Sequence, residues 1–136
     1  MNILFYLLPK ADVEFVFDDF TIRQALEKME YHHYSTIPII SRNGKYVGSL
    51  SEGDLLWEIK RNRLDLDDCE RRPIANILPS KKIAPISGDK DMDDLVEIII
   101  NQNFVPVVDD LENFIGIVTR KSVINYLTNE LNKKKR

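Results

Sequence analysis

The stretch STIPIISRNGKYVGSLSEGDLL, Ser35–Leu56, decides how this chain folds. Apolar residues dominate Thr36–Ile40 and predict a strand. Asn43-Gly44 is the strongest short signal for a β-hairpin, because a type I′ turn needs a positive φ at both central residues. Tyr46–Leu50 predicts the partner strand, and the polar turn after it predicts a helix start. The stretch therefore indicates a β-hairpin that runs directly into a helix.

This motif occurs twice in the chain. An apolar-Pro-apolar strand, a strand that contains glycine, and a Ser or Thr at a helix start recur at a constant offset of 68 positions. The matching pairs are Ile37–Ile40 with Val105–Val108, Tyr46–Gly48 with Phe114–Gly116, Ser51 with Thr119, and Leu55-Leu56 with Val123-Ile124. Several matches at a single offset indicate an internal duplication.

Each half predicts the order strand, helix, strand, strand, helix. In the first half, a strand over Val13–Phe17 precedes a helix with Thr21 as N-cap, and Gln24 completes a capping box. In the second half, a strand over Ile83–Ile86 precedes an acidic helix start at Asp89–Asp94. The other predicted elements of that half are the Phe104–Val108 strand, the Phe114–Val118 strand and a final helix led by Thr119.

A charged connection at residues 61–80 joins the halves, and Pro73 within it predicts a short helical turn through Leu78. We expect residues 1–60 to form a first repeat with an N-terminal docking segment. Residues 81–136 should form a second repeat with a basic C-terminal tail. One half alone is too small to bury its own sheet and helices. The expected fold class is α/β, with two repeats packed pseudo-twofold through their sheets into one compact module and a cleft between them.

Composition excludes several functional classes. Of the 136 residues, 43% are hydrophobic and 30% are charged, as in globular rather than disordered chains. The net charge of −3 gives no general attraction to nucleic acid or to an anionic membrane, and the basic run Lys133–Arg136 is interpreted as a solvated helix end. The apolar segment Ile3–Leu8 is too short to span a bilayer. Cys69 is the single cysteine, which indicates a reducing, cytoplasmic environment.

The sequences YVGSLSEGDLL in the first copy and FIGIVTRKSVI in the second resemble the tandem cystathionine-β-synthase (CBS) domain pair, or Bateman module. The resemblance covers essentially the whole chain, and Leu7–Met29 is similar to stand-alone bacterial proteins of this kind. It implies a non-catalytic sensor that binds an adenine nucleotide or adenosyl ligand in the cleft between the repeats. AMP, ADP, ATP, S-adenosylmethionine and cyclic di-AMP all fit that description. A homodimer and an unidentified effector protein are the partners implied.

The resemblance also implies two sets of binding residues. In the family, the base lies along the first strand and the backbone ahead of the proline, and the acid of a Ser/Thr-x-x-Asp turn holds the ribose. The matching residues of the first site are Asp12, Val13, Glu14, Ser35, Thr36, Ile37, Pro38, Ser51 and Asp54. Those of the second site are Ile83, Ala84, Asn103, Phe104, Val105, Pro106, Thr119 and Arg120. Arg120 and Lys121 are also candidates for a phosphate of the first site.

Two departures from the family pattern favour one good site over two. Ser122 stands where the first repeat has Asp54, so the second site lacks its usual acid. Negative charge near the first site opposes a polyphosphate unless Arg120 or Lys121 offsets it. The acids concerned are Asp12, Glu14 and Glu52. We therefore expect a site centred on Asp54 for a monophosphate, a dinucleotide or an uncharged adenosyl group.

The chemistry of these residues is consistent with that site but leaves structural alternatives open. A carboxylate such as Asp54 can accept from two vicinal hydroxyls, and a helix start at Ser51 favours an anion. The same two residues can equally be an ordinary capping pair. Pro38 and Pro106 can be strand-start prolines without a ligand role.

Other conspicuous residues are interpreted structurally. Adjacent His32 and His33 point to different faces and lack a third ligand, so we expect them to stabilise a helix C-terminus rather than to bind a metal. Trp57 is expected to pack on the core or on a partner subunit. The sequence contains no catalytic constellation. An interaction or dimerisation module with lapsed pockets is the alternative function.

Overall fold

The computed structural model describes residues 1–77, 79 and 82–135. The predicted turn residue Leu78, the connection residues Ser80 and Lys81, and the last tail residue Arg136 lie outside the described residues. The chain divides into two units. The first-repeat unit is Glu14–Lys82, and the second-repeat unit combines Met1–Val13 with Ile83–Arg136.

The elements follow the predicted order within each repeat. In chain order, the strands are β1 (Leu8–Pro9), β2 (Val16–Phe17), β3 (Thr36–Ile40), β4 (Tyr46–Ser51), β5 (Ile86–Ser87), β6 (Phe104–Val108) and β7 (Phe114–Thr119). The α-helices are α1 (Ile22–His32), α2 (Glu52–Arg61), α3 (Leu66–Arg71) and α4 (Arg120–Lys134). Short 3-10 turns lie at Ile3–Tyr6, Lys10–Asp12, Ile74–Asn76, Met92–Leu95 and Ile98–Ile100. Across the described ranges, none of the helices combines the length and apolar character that crossing a membrane requires.

The first-repeat unit is built on a sheet with the strand order β2-β3-β4. β2 runs parallel to β3, and β3 and β4 form the predicted antiparallel hairpin. The predicted capping box of α1 is confirmed, because the Gln24 N–H donates to Thr21 Oγ1 (3.3 Å) and the Thr21 N–H donates to Gln24 Oε1 (2.8 Å). The buried core consists of Val16, Ile22, Ala25, Met29, Ile37, Leu50, Leu55, Cys69, Ile74 and Ile77.

The hairpin turn differs from the type I′ turn that Asn43-Gly44 predicts. Gly44 has a φ of 88°, but Asn43 is not among the described residues with a positive φ. The Gly44 N–H donates to the Ser41 carbonyl and the Ser41 N–H to the Lys45 carbonyl, both at 2.9 Å. The loop therefore has three residues and ends with glycine in the left-handed region, which is the next most common hairpin connection.

The second-repeat unit carries a four-stranded sheet in the order β1-β7-β6-β5. β5 runs parallel to β6, β6 and β7 form the second hairpin, and β1 pairs antiparallel with β7. The buried core consists of Ile3, Met92, Leu95, Ile99, Val105, Val107, Val118, Val123 and Tyr126. The same three-stranded plan is therefore present in both units, and the second unit has one extra edge strand.

That extra strand comes from the N-terminal segment, which the sequence grouped with the first repeat. Leu8 lies opposite Ile117 and Pro9 opposite Gly116. Ile3 is fully buried, and its N–H donates to the Lys90 carbonyl at 3.1 Å. The predicted docking segment therefore covers the core of the second-repeat unit, because β7 offers it a free strand edge.

The elements that open each repeat are shorter or tighter than predicted. The strand predicted at Val13–Phe17 is limited to β2, and the one predicted at Ile83–Ile86 is limited to β5. The helix predicted after Asp89–Asp94 consists of two 3-10 turns, the first capped by Asp91. The β-branched run Ile98–Ile100 explains the loss of regular α-helix, since such side chains lose χ1 freedom there.

Candidate functional site

Ser51 and Asp54 form the polar turn at the start of α2. The Asp54 N–H donates to Ser51 Oγ at 3.0 Å, and the Ser51 N–H donates to Asp54 Oδ2 at 2.9 Å. Asp54 is 6% exposed, which makes it one of the few buried charged residues in the described structure. The capping interpretation of this pair is therefore confirmed, and the cap fixes the position of the carboxylate.

The start of β3 lies beside this turn. Thr36 is opposite Ser51 in the hairpin register, and the Glu52 N–H donates to the Ser35 carbonyl at 2.9 Å. Ser35, Thr36, Ser51 and Asp54 are thus brought together at the open end of the hairpin. Because the strand and the helix start are hydrogen-bonded to each other, a ligand at one of them would lie within reach of the other.

The backbone ahead of each motif proline has a strand on one side only. β2 pairs with Ile39 and Ile40 but not with Thr36–Pro38, and β5 pairs with Val107 and Val108 but not with Phe104–Pro106. Proline lacks an N–H, so at such an edge it leaves no unpaired donor. Each unit therefore presents a short edge with a buried proline, where a planar group can lie against the backbone.

Glu14 belongs to an ionic cluster that the sequence analysis missed. The Oε2 atom of Glu14 lies 3.4 Å from Lys28 Nζ and 3.5 Å from His32 Nε2. The backbone N–H of Glu14 donates to the Tyr34 hydroxyl at 3.4 Å. Lys28 Nζ also donates to the Phe15 carbonyl at 2.5 Å. The spacing of Lys28 and His32 on one face of α1 was the available signal. The Glu14 carboxylate is therefore paired with the Lys28 ammonium, which offsets the negative charge that the sequence placed near the first site.

The second-repeat unit repeats the turn with a different side chain. Thr119 caps α4, accepts from the Ser122 N–H at 3.1 Å and donates to Ser122 Oγ at 3.0 Å. The Arg120 N–H donates to the Asn103 carbonyl at 2.8 Å, which matches the Glu52–Ser35 bond of the first repeat. Ser122 thus occupies the position of Asp54 without supplying a carboxylate.

Arg120 has a structural contact in its own unit. Its Nε donates to the Ile99 carbonyl at 2.8 Å, so the guanidinium is held at the end of a 3-10 turn. Lys121 is exposed and forms no ion pair with any described residue. The phosphate roles of both residues stay predictions.

The remaining predicted site residues are distributed over both units. Asp12 ends a 3-10 turn, and Val13, which follows it, is 5% exposed; both belong to the second-repeat unit. Ile37 and Pro38 are buried in β3. In the second-repeat unit, Phe104, Val105 and Pro106 are buried in β6, and Ile83 and Ala84 precede β5 without regular structure.

Comparison with known proteins agrees with this architecture. A family model described as CBS domain matches residues 7–61 and 74–129. An uncharacterised protein of Methanocaldococcus jannaschii is 25% identical over an alignment of 141 positions, which covers 82% of this chain and 84% of that protein. The chain spans 48%, 19% and 46% of the lengths of three other curated relatives.

Solved structures of similar fold cover nearly the whole chain. CbpB in complex with c-di-AMP superposes with a TM-score of 0.87 at 24% identity, covering 99% of this chain and 89% of that chain. CBSX2 in complex with AMP superposes with a TM-score of 0.74 at 21% identity, covering 99% of this chain and 98% of that chain. Two matched repeats over most of its length show that this chain belongs to the CBS domain family, as a tandem pair.

Proposed function

We propose that the protein is a non-catalytic regulatory module that binds an adenine nucleotide or adenosyl ligand through its first repeat. The observation that carries the proposal is that the capped turn with the Asp54 carboxylate lies opposite the start of β3, whose Thr36–Pro38 stretch has a strand on one side only. The edge suits a planar base, and the carboxylate suits a ribose. A carboxylate has two oxygens and about four lone-pair sites, so it can serve its helix cap and still accept from a sugar hydroxyl.

The chemical class of the ligand follows from the same residues and from the relatives. The helix start at Ser51 offers N–H groups and a favourable dipole to a phosphate. CbpB and CBSX2, which share this fold, were solved with c-di-AMP and with AMP. We therefore place these two ligands ahead of ADP, ATP and S-adenosylmethionine. Ser122 in place of the acid makes the second repeat the weaker site.

A thermal-shift screen of the purified protein against the five ligands tests the proposal. At a free ligand concentration of about 100 times Kd, binding stabilises the folded state by roughly 2.7 kcal/mol. That corresponds to a rise in Tm of several degrees for a chain of this size. A shift with AMP or c-di-AMP supports the sensor, and no shift with any of the five contradicts it.

Matched variants locate the site. Asp54→Asn keeps an oxygen that can accept from the Ser51 N–H and loses only the favourable charge in the first helical turn, about 0.3 to 2 kcal/mol, so the fold should survive. It loses the charge that holds two vicinal hydroxyls, and the ligand-induced shift should fall strongly. Ser122→Ala is the control in the second repeat. Equal losses in the two variants would contradict a site centred on Asp54.

An interaction module is the alternative, and a repeated surface feature favours it. Leu56 on α2 and Ile124 on α4 occupy matching positions of the duplication, and they are 56% and 49% exposed. Trp57 and Leu131 add exposed apolar area on the same two helices. We propose that these faces form a homodimer contact. We also propose that the protein acts in the cytoplasm, because its single cysteine suits a reducing compartment. Analytical sedimentation of wild type and of Leu56→Glu measures the molecular mass of each in solution. The same mass for both proteins would contradict a dimer contact at Leu56.

A further inference from the structure

A groove with a volume of about 740 Å³ lies within the first-repeat unit. Its walls are α1 from its first turn onward, the residues 33–35 that follow α1, the short helix α3 and the first residue of α2. It includes neither Pro38 nor Asp54, although Ser35 and Glu52 contribute to its wall. The groove is therefore a different concavity from the candidate nucleotide site, and it shares one edge with that site.

The floor of the groove is apolar. Leu26, Met29 and Cys69 line it, and Leu66 also belongs to the lining of the groove. Met29 and Cys69 are 3% and 4% exposed and belong to the core, whereas Leu66 is 84% exposed. A leucine that stands in solvent beside a concave apolar floor is a site where a second apolar surface can bury area.

The rim of the groove is acidic. The lining contains four glutamates, Glu27, Glu30, Glu52 and Glu70, and a single arginine. Arg23 lies 2.9 Å from Glu27 and 3.7 Å from Glu70, so its charge is already shared by two carboxylates.

The other two glutamates are not compensated in this way. Glu30 and Glu52 form no ion pair within the part of the chain that the structure describes. The potential in the groove is consequently negative, which disfavours nucleotides, nucleic acids and anionic membranes and favours a cationic partner.

From this combination we propose that the groove binds a lysine- or arginine-rich amphipathic segment of a partner protein. Its apolar side chains would bury Leu66 against the floor, and its cations would face the glutamates. Helix-in-groove docking places the apolar face of an amphipathic helix in a groove of this kind, and charges at the rim add complementarity. The proposal concerns a second surface and does not depend on nucleotide binding.

Fluorescence anisotropy on the full chain tests the proposal with a designed probe. The probe is a labelled helix-forming peptide with leucines at positions i, i+3, i+4 and i+7 and lysines elsewhere. Its counter-probe carries glutamates in place of the lysines. We expect the lysine peptide to bind with an affinity that falls as salt rises, since exposed charges are screened. Comparable binding of the glutamate peptide would overturn the proposal.

Variants exclude non-specific adhesion to an acidic protein. Glu30→Lys sits in the last turn of α1, where a cation suits the helix dipole, and Leu66→Glu alters an exposed side chain, so both should fold. Each should weaken lysine-peptide binding by about tenfold or more, the size of a 1.4 kcal/mol loss. Glu97→Lys, an exposed residue of the second-repeat unit with the same change in charge, is the control. Equal binding by Glu30→Lys and Glu97→Lys would overturn the proposal.

Two further readouts separate the remaining possibilities. If wild type is a dimer that both Glu30→Lys and Leu66→Glu convert to monomer, the groove is filled by a second copy and the proposal is overturned.

The nucleotide-induced thermal shift should be unchanged in Leu66→Glu. Loss of peptide binding with an intact nucleotide shift supports the groove. Absence of any nucleotide shift in wild type counts against the proposed function alone.

Discussion

The carbonyl oxygen of Leu8 lies 2.2 Å from the position that a Cβ atom would take on Gly116. At the matching position of the first repeat, no heavy atom lies within 4 Å of a Cβ built on Gly48. The difference arises because β1 pairs with β7, whereas β4 is the last strand of its sheet. The glycine occurs in both copies, but only the second copy is packed so closely that a side chain cannot fit.

Alanine substitutions at these two glycines should therefore differ in effect. Gly116→Ala forces a Cβ against backbone at a φ of 153° and should lower the free energy of unfolding by about 1 to 3 kcal/mol. Gly48→Ala should change it by no more than about 0.5 kcal/mol. Urea unfolding of both variants measures the difference. Similar losses in the two variants would show that β1 does not restrict β7 in solution.

Installing the missing acid should make the second repeat resemble the first. Ser122→Asp places a carboxylate where the first repeat has Asp54, next to the Thr119 cap. If that carboxylate is the ribose contact, the nucleotide stoichiometry measured by calorimetry should rise from one to two per chain. Ser122→Asn supplies a side-chain oxygen at the same helix position without the charge. An increase with both variants would mean that capping, and not the acid, creates the second site.

The Glu14 cluster should contribute little to stability and should respond to salt. Glu14 and Lys28 side chains are 37% and 30% exposed, and ion pairs of that exposure are worth about 0 to 1 kcal/mol. Glu14→Gln should therefore lower the free energy of unfolding by less than about 1 kcal/mol at low salt, and the difference should vanish near 1 M salt. Chemical unfolding at two salt concentrations measures it. Glu97→Gln, which removes an exposed charge elsewhere, is the control.

Tyr46 should titrate late and should report on the fold at alkaline pH. Burial raises its pKa to about 12, against a smaller opposite effect of the hydrogen bond to Ser49 Oγ at 2.8 Å. Because the native pKa is raised, the stability contributed by the neutral phenol is complete below about pH 10 and is lost as the pH rises through about 12.

This titration is measured by recording the tyrosinate absorbance of wild type and of Tyr46→Phe against pH and subtracting the second curve from the first. The signal missing from the variant should develop near pH 12 in native protein and near pH 10 in urea. A midpoint near 10 in both states would contradict the burial of the phenol.

The sequence closely predicted the strands β3, β4, β6 and β7. It also predicted the two helix caps at Ser51 and Thr119. All these features depend on residues that are close together in the chain. The duplication strengthened these predictions, since every pattern was seen twice. The reciprocal hydrogen bonds between Ser51 and Asp54 could likewise be predicted from their spacing of three residues.

What the sequence did not predict depends on distant partners. The place of residues 1–13 depends on the edge of β7, about a hundred positions further along, and no local pattern encodes that pairing. The pairing of Glu14 with Lys28 and His32 depends on how β2 lies beside α1. The groove could not be predicted because one of its walls is α3. This six-residue helix lies in a segment whose charged composition predicted only an exposed connection.

The pairing of β1 with β7 also constrains how the protein is made. The first-repeat unit is continuous in sequence, so all of its core residues have been synthesised once Lys82 leaves the ribosome. The second-repeat unit is assembled from the two sides of it, so residues 1–13 are synthesised early and meet their strand partner only after about a hundred further residues. At roughly 5 to 20 residues per second, that interval lasts several seconds or longer. Throughout it, the apolar run Ile3–Leu8 lacks its native strand partner, and exposed apolar surface of this kind makes a growing chain prone to aggregation.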